Sequence, residues 1–374
     1  MLRQYKLKNY NFKLIAFVVA LSLIGYFAIG SAKQSVQLRQ LYGIFIGIIA
    51  MIIVSLIDYN LYAKIKWILY IISVVGLTLV LIFGVVVNHS KRWINIGFQF
   101  QPSELAKILL ILFFSQFIMK YRERLNTFKI IAFMIILVAL PMFLVYKEPD
   151  LSTTIVIAIT FCIMLFVGGL EYRTVFIILG TVIPLGIAFF SIIMQEGQTL
   201  LKEYQVIRIL AWLYPEKYAD SAAYQQRNSV TAISSGMLHG KGLNNNVIAS
   251  VKNGDFISEP QTDFIYAVIG EEMGFIGAAA VVILLFLIGY ECMRIAHYST
   301  NVSGAIIADG LAGMVMAQGF MNIAVTTGLL PNTGIPLPFV SYGLTSLVSL
   351  YIGIGVVLNI GLQGDKRKKM STDV

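Results

Sequence analysis

The chain has 374 residues, 58% of them hydrophobic and 13% charged, with a mean hydropathy of +0.80. Soluble domains carry roughly 25% charged residues, so this composition excludes a soluble globular fold and points to a polytopic membrane protein. The net charge of +9 reads as basic cytoplasmic loops and not as a nucleic-acid surface, because Lys and Arg fall in short segments between apolar runs. Two cysteines inside apolar runs and three scattered histidines make neither a disulfide framework nor a metal motif.

The basic N-terminus leads into an apolar run without a small-residue cleavage site, which reads as a first span and not a cleaved signal peptide. Runs long enough to cross a bilayer lie at about 12–31, 41–58, 67–88, 104–120, 129–146, 152–170, 174–194, 263–290, 304–328 and 336–362. The expectation is an all-α bundle of about ten transmembrane helices, one integral membrane domain over 1–374. Pro184 should kink the seventh helix. Orientation follows from Lys and Arg in the loops. With the N-terminus inside, the cytoplasmic segments hold most of the cations, among them Lys64, Lys66, Lys120, Arg122, Arg124 and the run Lys366–Lys369. The short outer loops hold Lys33, Arg39, Lys91, Arg92 and Lys147. Both termini are therefore expected in the cytoplasm, with a large extracytoplasmic loop, 195–262, before helix 8 and a cytoplasmic tail, 363–374. The basic tail suits an anchor at anionic membrane lipid.

This topology turns four distinctive stretches outward: 91–104, 147–153, 195–262 and 330–343. In the first, Pro102 and Ser103 read as a helix start with Ser103 as cap, and Glu104 and Lys107 are spaced to pair on one helix face. That pair is either a structural lock or a contact to an anionic substrate. Arg92 beside Trp93 reads as an interfacial anchor or a phosphate clamp. Glu148-Pro149-Asp150 is good helix-start chemistry. In the third stretch, 200–214 is amphipathic and fits the membrane interface, and the Gly- and Asn-rich run 234–246 offers flexible backbone. The fourth is broken by Pro331, Pro336 and Pro338, and such backbone survives at membrane depth only where protein buries it or it lines water.

The organising stretch is Ser258–Gly274. Pro260 suits the first turn of a helix running to about Ile288, with Ser258 or Glu259 as cap. Asp263 would then lie in that turn, on a small-residue face with Ala267, Gly270, Glu271 and Gly274. A partly buried carboxylate at the outer boundary is the strongest candidate for a general base. Glu271, roughly 12 Å deeper, reads as an intramembrane partner. These residues leave two classes open: an enzyme acting on an amphiphilic anionic substrate at the outer leaflet, or a transporter or flippase of such a substrate. Titratable groups gathered at one face favour the enzyme. No internal repeat is visible, which weakens the transporter.

At these residues the chain resembles the SEDS family (shape, elongation, division and sporulation: RodA, FtsW, SpoVE). The matching pieces are Arg92-Trp93-Ile94, Gln101–Lys107, Glu148–Thr153, Thr262–Gly274 and Pro336–Gly343, in family order. Leu344 stands where the family usually has a second Gly, and Ser235–Gly242 and 244–256 follow the family loop only in outline. The resemblance implies a peptidoglycan glycosyltransferase of the bacterial cytoplasmic membrane that polymerises lipid II, with a lipid II flippase as the alternative. It implies Asp263 as the catalytic residue. It places Arg92, Trp93, Glu104, Lys107, Glu148, Asp150 and Ser341 around the substrate, and a class B penicillin-binding protein as partner. It leaves open whether Mg²⁺ or Mn²⁺ assists at Asp263. Within the family, the short termini lean toward RodA.

Overall fold

The computed structural model of the chain describes residues 9–87, 90–95, 97, 99–193, 203–243 and 256–364. The basic run of the tail and the parts 194–202 and 244–255 of the outer loop lie outside the described residues. Ten helices occupy the ten expected spans. They are α1 (Phe12–Ala32), α2 (Gln34–Ser55), α3 (Leu61–Phe83), α4 (Pro102–Lys120), α5 (Phe128–Lys147), α6 (Leu151–Val167) and α7 (Tyr172–Ile193), then α10 (Ile265–His297), α11 (Val302–Thr326) and α12 (Leu344–Gln363). Two shorter helices, α8 (Glu203–Leu213) and α9 (Tyr224–Ser235), lie in the outer segment between α7 and α10. Among the described residues eight helices are individually long and apolar enough to cross a membrane, and α6 is a shorter apolar helix of 17 residues.

Helices α4 and α11 form the centre. In lipid there is no hydrophobic drive between helices, so close packing and polar contacts hold them together. Phe113 and Phe117 of α4 pack on Trp67 of α3, and Phe114 packs edge-on against Phe161 of α6. Helices α2 and α12 come closest. Gly47 abuts the Tyr351 ring, and a Cβ on Gly355 would stand 2.6 Å from the Met51 carbonyl. The outward faces of α2, α3 and α5 carry exposed Ile46, Ile53, Ile68, Ile72 and Phe143, as lipid-facing surfaces should.

The third span, expected to run to 88, ends at Phe83, and the stretch from there to α4 is not a loop. It folds into a small antiparallel sheet of β1 (Val85–Val87), β2 (Ser90–Asn95) and β3 (Gln99–Phe100). β-Branched and aromatic residues suit these strands, but each is too short for its alternation to register. Arg92 and Trp93 are consecutive on β2 and so lie on opposite faces. At the start of α4 the N-cap is Gln101, with Pro102 in the first turn. Ser103 is not the cap; its hydroxyl accepts from the Gln101 side chain (3.2 Å).

Helix α10 corrects the sequence reading twice. It begins at Ile265, so Asp263 lies in the turn before it and not in its first turn. The cause is competition for carbonyls. Those of Gln261, Thr262 and Asp263, which a helix would use internally, accept from Tyr342 N (2.9 Å), Ser341 Oγ (2.6 Å) and Asn322 Nδ2 (2.8 Å). The helix also runs past Ile288 to His297, and it breaks at Gly274 (φ 63°, ψ −162°), a conformation essentially reserved for glycine.

The break leaves main-chain groups without helical partners, and the outer segment supplies them. Lys241 N and Gly242 N donate to the Glu271 and Glu272 carbonyls (both 2.9 Å), and Phe275 N and Ile276 N donate to the Met237 and Leu238 carbonyls (2.8 and 3.3 Å). The described part of the Gly-rich run is thus stitched across the break. Lys241 Nζ also pairs with Glu271 Oε1 at 2.7 Å. Gly240, at φ +79°, sits so close that a Cβ would overlap the Glu272 carbonyl. Gly240→Ala is therefore expected to lower the thermal unfolding midpoint clearly, since the left-handed backbone alone costs about 1–2 kcal/mol with a side chain. Melting the purified variant by circular dichroism checks this. A midpoint equal to that of the unaltered chain would mean that the stitch does not hold the break.

Candidate active site

The outer end of the bundle collects the turn before α10, the tract 331–343, the α5–α6 corner and strand β2. Each irregular tract is held by side chains of its neighbours. Asn322 of α11 is buried and donates from one amide nitrogen to the Asp263 carbonyl (2.8 Å) and the Ile335 carbonyl (2.7 Å). Gln318, one turn away, donates to the Pro336 carbonyl (3.1 Å). Ser341 accepts from Leu337 N (2.7 Å) and donates to the Thr262 carbonyl (2.6 Å). Ser152 ties the α6 start to the Thr333 carbonyl (2.5 Å). Asp263 is thereby fixed through its main chain, while a Cβ on Gly334 would stand 3.4 Å from its carboxylate.

The Asp263 side chain is half-buried, and among the described residues no hydrogen bond or ion pair engages its carboxylate. Burial pushes its pKa up from the ordinary value, opposed by the nearby positive charges of Arg92 and Arg208 and reinforced by Asp150 and Glu259. A carboxylate with an open face and a raised proton affinity is suited to accept a proton.

Arg92 stands between the acids. Its Nη1 is 3.6 Å from Asp150 Oδ2, and its Nη2 donates to the Pro149 carbonyl. Asp150 in turn caps α6, accepting from Thr153 N (3.1 Å). Glu148 is fully buried, neither carboxylate oxygen finds a hydrogen-bond partner among the described residues, and burial, with the Asp150 charge beside it, pushes its pKa up to about 9. It is therefore a neutral acid packed behind the site.

Glu104 and Lys107 do pair, with Lys107 Nζ 2.9 Å from Glu104 Oε1, and both are buried in α4. Lys107 Nζ also donates to Gln318 Oε1 (3.0 Å), so the pair is linked through Gln318 to the 331–343 tract and on to Asp263. Of the expected residues, the structure thus joins Asp263, Arg92, Asp150, Glu104, Lys107 and Ser341 into one outer-face assembly. Glu148 stays beneath it and Trp93 on the other face of β2. Gln318 and Asn322 were missed. Their signal was available as a polar stripe, Gln318-Asn322-Thr326, at i, i+4, i+8 in an otherwise apolar span.

Among the described residues no group of three or more His, Cys, Asp or Glu side chains could hold a metal ion. Asp150 faces Arg92, not a second ligand. A resident Mg²⁺ or Mn²⁺ does not fit this donor set.

The sequence profile of the FtsW/RodA/SpoVE family, described as cell cycle proteins, matches residues 6–366. The chain belongs to the FtsW/RodA/SpoVE family. It is 35% identical over 326 residues to stage V sporulation protein E of Bacillus subtilis, covering 86% of each chain. It is 32% identical over 362 residues to the peptidoglycan glycosyltransferase MrdB of Escherichia coli, covering 96% of this chain and 94% of that one. Among solved structures it resembles a chain of a peptidoglycan synthase complex that coordinates polymerization and crosslinking (TM-score 0.77, 25% identity, 94% of this chain and 97% of that one). Thermus thermophilus RodA shares the fold (TM-score 0.68, 24% identity, 94% and 96% of the chains).

The Glu104–Lys107 pair of this FtsW/RodA/SpoVE member makes a first expectation. Lys107→Met alone leaves a buried Glu104 charge and should cost more stability than the double change Glu104→Gln, Lys107→Met, because an uncompensated buried ion is the expensive state. Thermal unfolding of Glu104→Gln, Lys107→Met and the double variant decides; a double variant no more stable than the single ones would remove the pairing argument. Glu148 makes a second. Ordinary Glu titrates near 4.3, and Glu148 in the fold near about 9. Between those values the unfolded chain gives up a proton that the folded chain keeps, so stability falls as pH rises. Glu148→Gln should remove that part of the decline between pH 5 and 9. Identical slopes in the two proteins would place the ionisation elsewhere.

Proposed function

We propose that this protein is a peptidoglycan glycosyltransferase. It polymerises lipid II into glycan strands at the outer face of the bacterial cytoplasmic membrane and works with a class B penicillin-binding protein that crosslinks them. The observation that carries this reading is Asp263, a carboxylate held through its main chain at the outer end of α10, open to a proton and set in the field of Arg92. Membership of the family and the likeness to MrdB and to a synthase complex support it.

The chemistry follows from the charges. A sugar hydroxyl of the acceptor attacks the anomeric carbon of the donor. The new C–O bond forms as the bond to the lipid pyrophosphate breaks, and the leaving group departs with the electron pair. Asp263 takes the hydroxyl proton, as the base does in inverting sugar transfer to water. Arg92 offers a positive field for the growing charge on pyrophosphate, the kind of fixed electrostatic aid that is effective in a partly dry site. Burial keeps the proton affinity of Asp263 above that of a solvated carboxylate, which makes it a stronger base once deprotonated.

Purified protein with and without the penicillin-binding protein, supplied with lipid II, tests the reading. Asp263→Asn should fold normally and lose polymerisation by at least about a hundredfold, the usual contribution of a positioned base. The acid limb of kcat/KM should lie above the ordinary aspartate value of about 4, because the free base is needed and its pKa is raised. Lipid II crossing vesicle membranes without polymer being made would favour a flippase instead.

A further inference from the structure

We propose that the cytoplasmic end of the bundle binds one anionic phospholipid of the inner leaflet, its phosphate seated in a cavity between the start of α1 and the ends of α10 and α12. The cavity measures about 260 Å³, and its lining includes Asn9, Lys13, Arg294, Tyr298, Gly361 and Gly364. It is at the opposite end of the helices from Asp263, and the sugar-transfer chemistry makes no use of it.

The polar groups around it divide into committed and open ones. Asn9 Nδ2 donates to the Gly364 carbonyl (2.8 Å) and ties the chain's two ends together. Asn11 donates to Glu291 Oε2 (2.6 Å) and accepts from Leu14 N (3.1 Å). Arg294 gives Nη1 to Glu291 Oε1 (2.9 Å), and its other guanidinium nitrogens make no hydrogen bond among the described residues. Lys13 is exposed and meets no acid among the described residues. Two cations against the single carboxylate of Glu291 leave one net positive charge, which matches one phosphodiester. In the sequence, Lys6 and Lys8 precede Asn9, and Lys366, Arg367, Lys368 and Lys369 follow Gly364.

The choice of a lipid over a free phosphate rests on the surroundings. The cavity lies where three helix ends meet, and Phe12, which also lines it, is 70% exposed. Acyl chains attached to the phosphate would lie on such apolar surface, while a soluble anion would gain only the charge contact.

The test is the thermal unfolding midpoint of the full chain in neutral detergent, titrated at fixed ionic strength with phosphatidylglycerol, phosphatidylcholine or glycerol phosphate. Phosphatidylglycerol should raise the midpoint and saturate near one equivalent; the other two should not. Near a membrane surface each cation contributes about fivefold to affinity, so the double variant Lys13→Gln, Arg294→Gln should bind roughly thirtyfold more weakly. Gly361→Leu fills the cavity and keeps every cation, and should lose the same stabilisation. It also decides the matter if the double variant does not fold. An equal effect of glycerol phosphate or phosphatidylcholine would overturn the proposal. So would phosphatidylglycerol binding unchanged in Gly361→Leu, which would assign the attraction to the basic chain ends alone.

Discussion

Backbone that leaves helical geometry at membrane depth must find its hydrogen bonds inside the protein, and the outer half of this fold is arranged to meet that demand. Two irregular tracts, the turn before α10 and the proline-broken stretch 331–343, run against each other there. Asn322 and Gln318 from α11 and Ser341 from the tract itself bond their carbonyls. The same bonds that make the tracts tolerable also fix Asp263. Its main chain is held from α11 and its neighbours Gln261 and Thr262 from 341–342, so the side chain is left as the free element of an otherwise immobilised turn. Preorganisation of this kind comes without a separate device: satisfying the backbone and aiming the carboxylate are one arrangement.

The charges of the site sort themselves by the same logic. Burying an ion unpaired is expensive, and most acids here have a cation: Glu104 has Lys107, Asp150 has Arg92, and Glu271 has Lys241. Among the described residues no ion pair engages Glu148 or Asp263. Glu148, with no donor to either carboxylate oxygen among the described residues and its pKa pushed up to about 9, is neutral packing. Asp263 is half-exposed, and burial raises its proton affinity against the opposing charges of Arg92 and Arg208.

The sequence made the bundle legible because hydropathy in a bilayer is nearly decisive: each of the ten runs became a helix, with ends shifted by up to about eight residues, most at the starts of α2 and α12. The Glu104–Lys107 pair was equally readable, since both lie on one helix and need only local geometry. What could not be read depended on partners distant in sequence. The start of α10 moved from Pro260 to Ile265 because Asn322, Ser341 and Tyr342 capture carbonyls that local propensity assigns to the helix. The break at Gly274 was hidden inside an apolar run in which glycine is ordinary. Arg92 and Trp93 looked like a pair in one dimension and were separated by strand alternation, in a sheet whose strands are too short to signal themselves.

The break in α10 also explains why so long a segment precedes it. A broken helix needs main-chain donors and acceptors on both sides of the gap, and the turn 236–242 provides four such bonds. That turn is the direct continuation of α9. Gln226 of α9 donates to the Val325 and Leu330 carbonyls, and Ser229 donates to the Thr326 carbonyl at the end of α11. Trp212 at the end of α8 donates to the Gly328 carbonyl. Helix α9, the turn, the first half of α10 and the end of α11 are therefore one hydrogen-bonded unit, and Asp263 lies within it. Gly236 and Gly240 set how tightly the unit closes, because a side chain at either would meet the α10 carbonyls. The outer segment is thus a structural member of the site. Displacing α9 relative to α10 means breaking main-chain bonds in a low-dielectric layer, where no water stands ready to replace them.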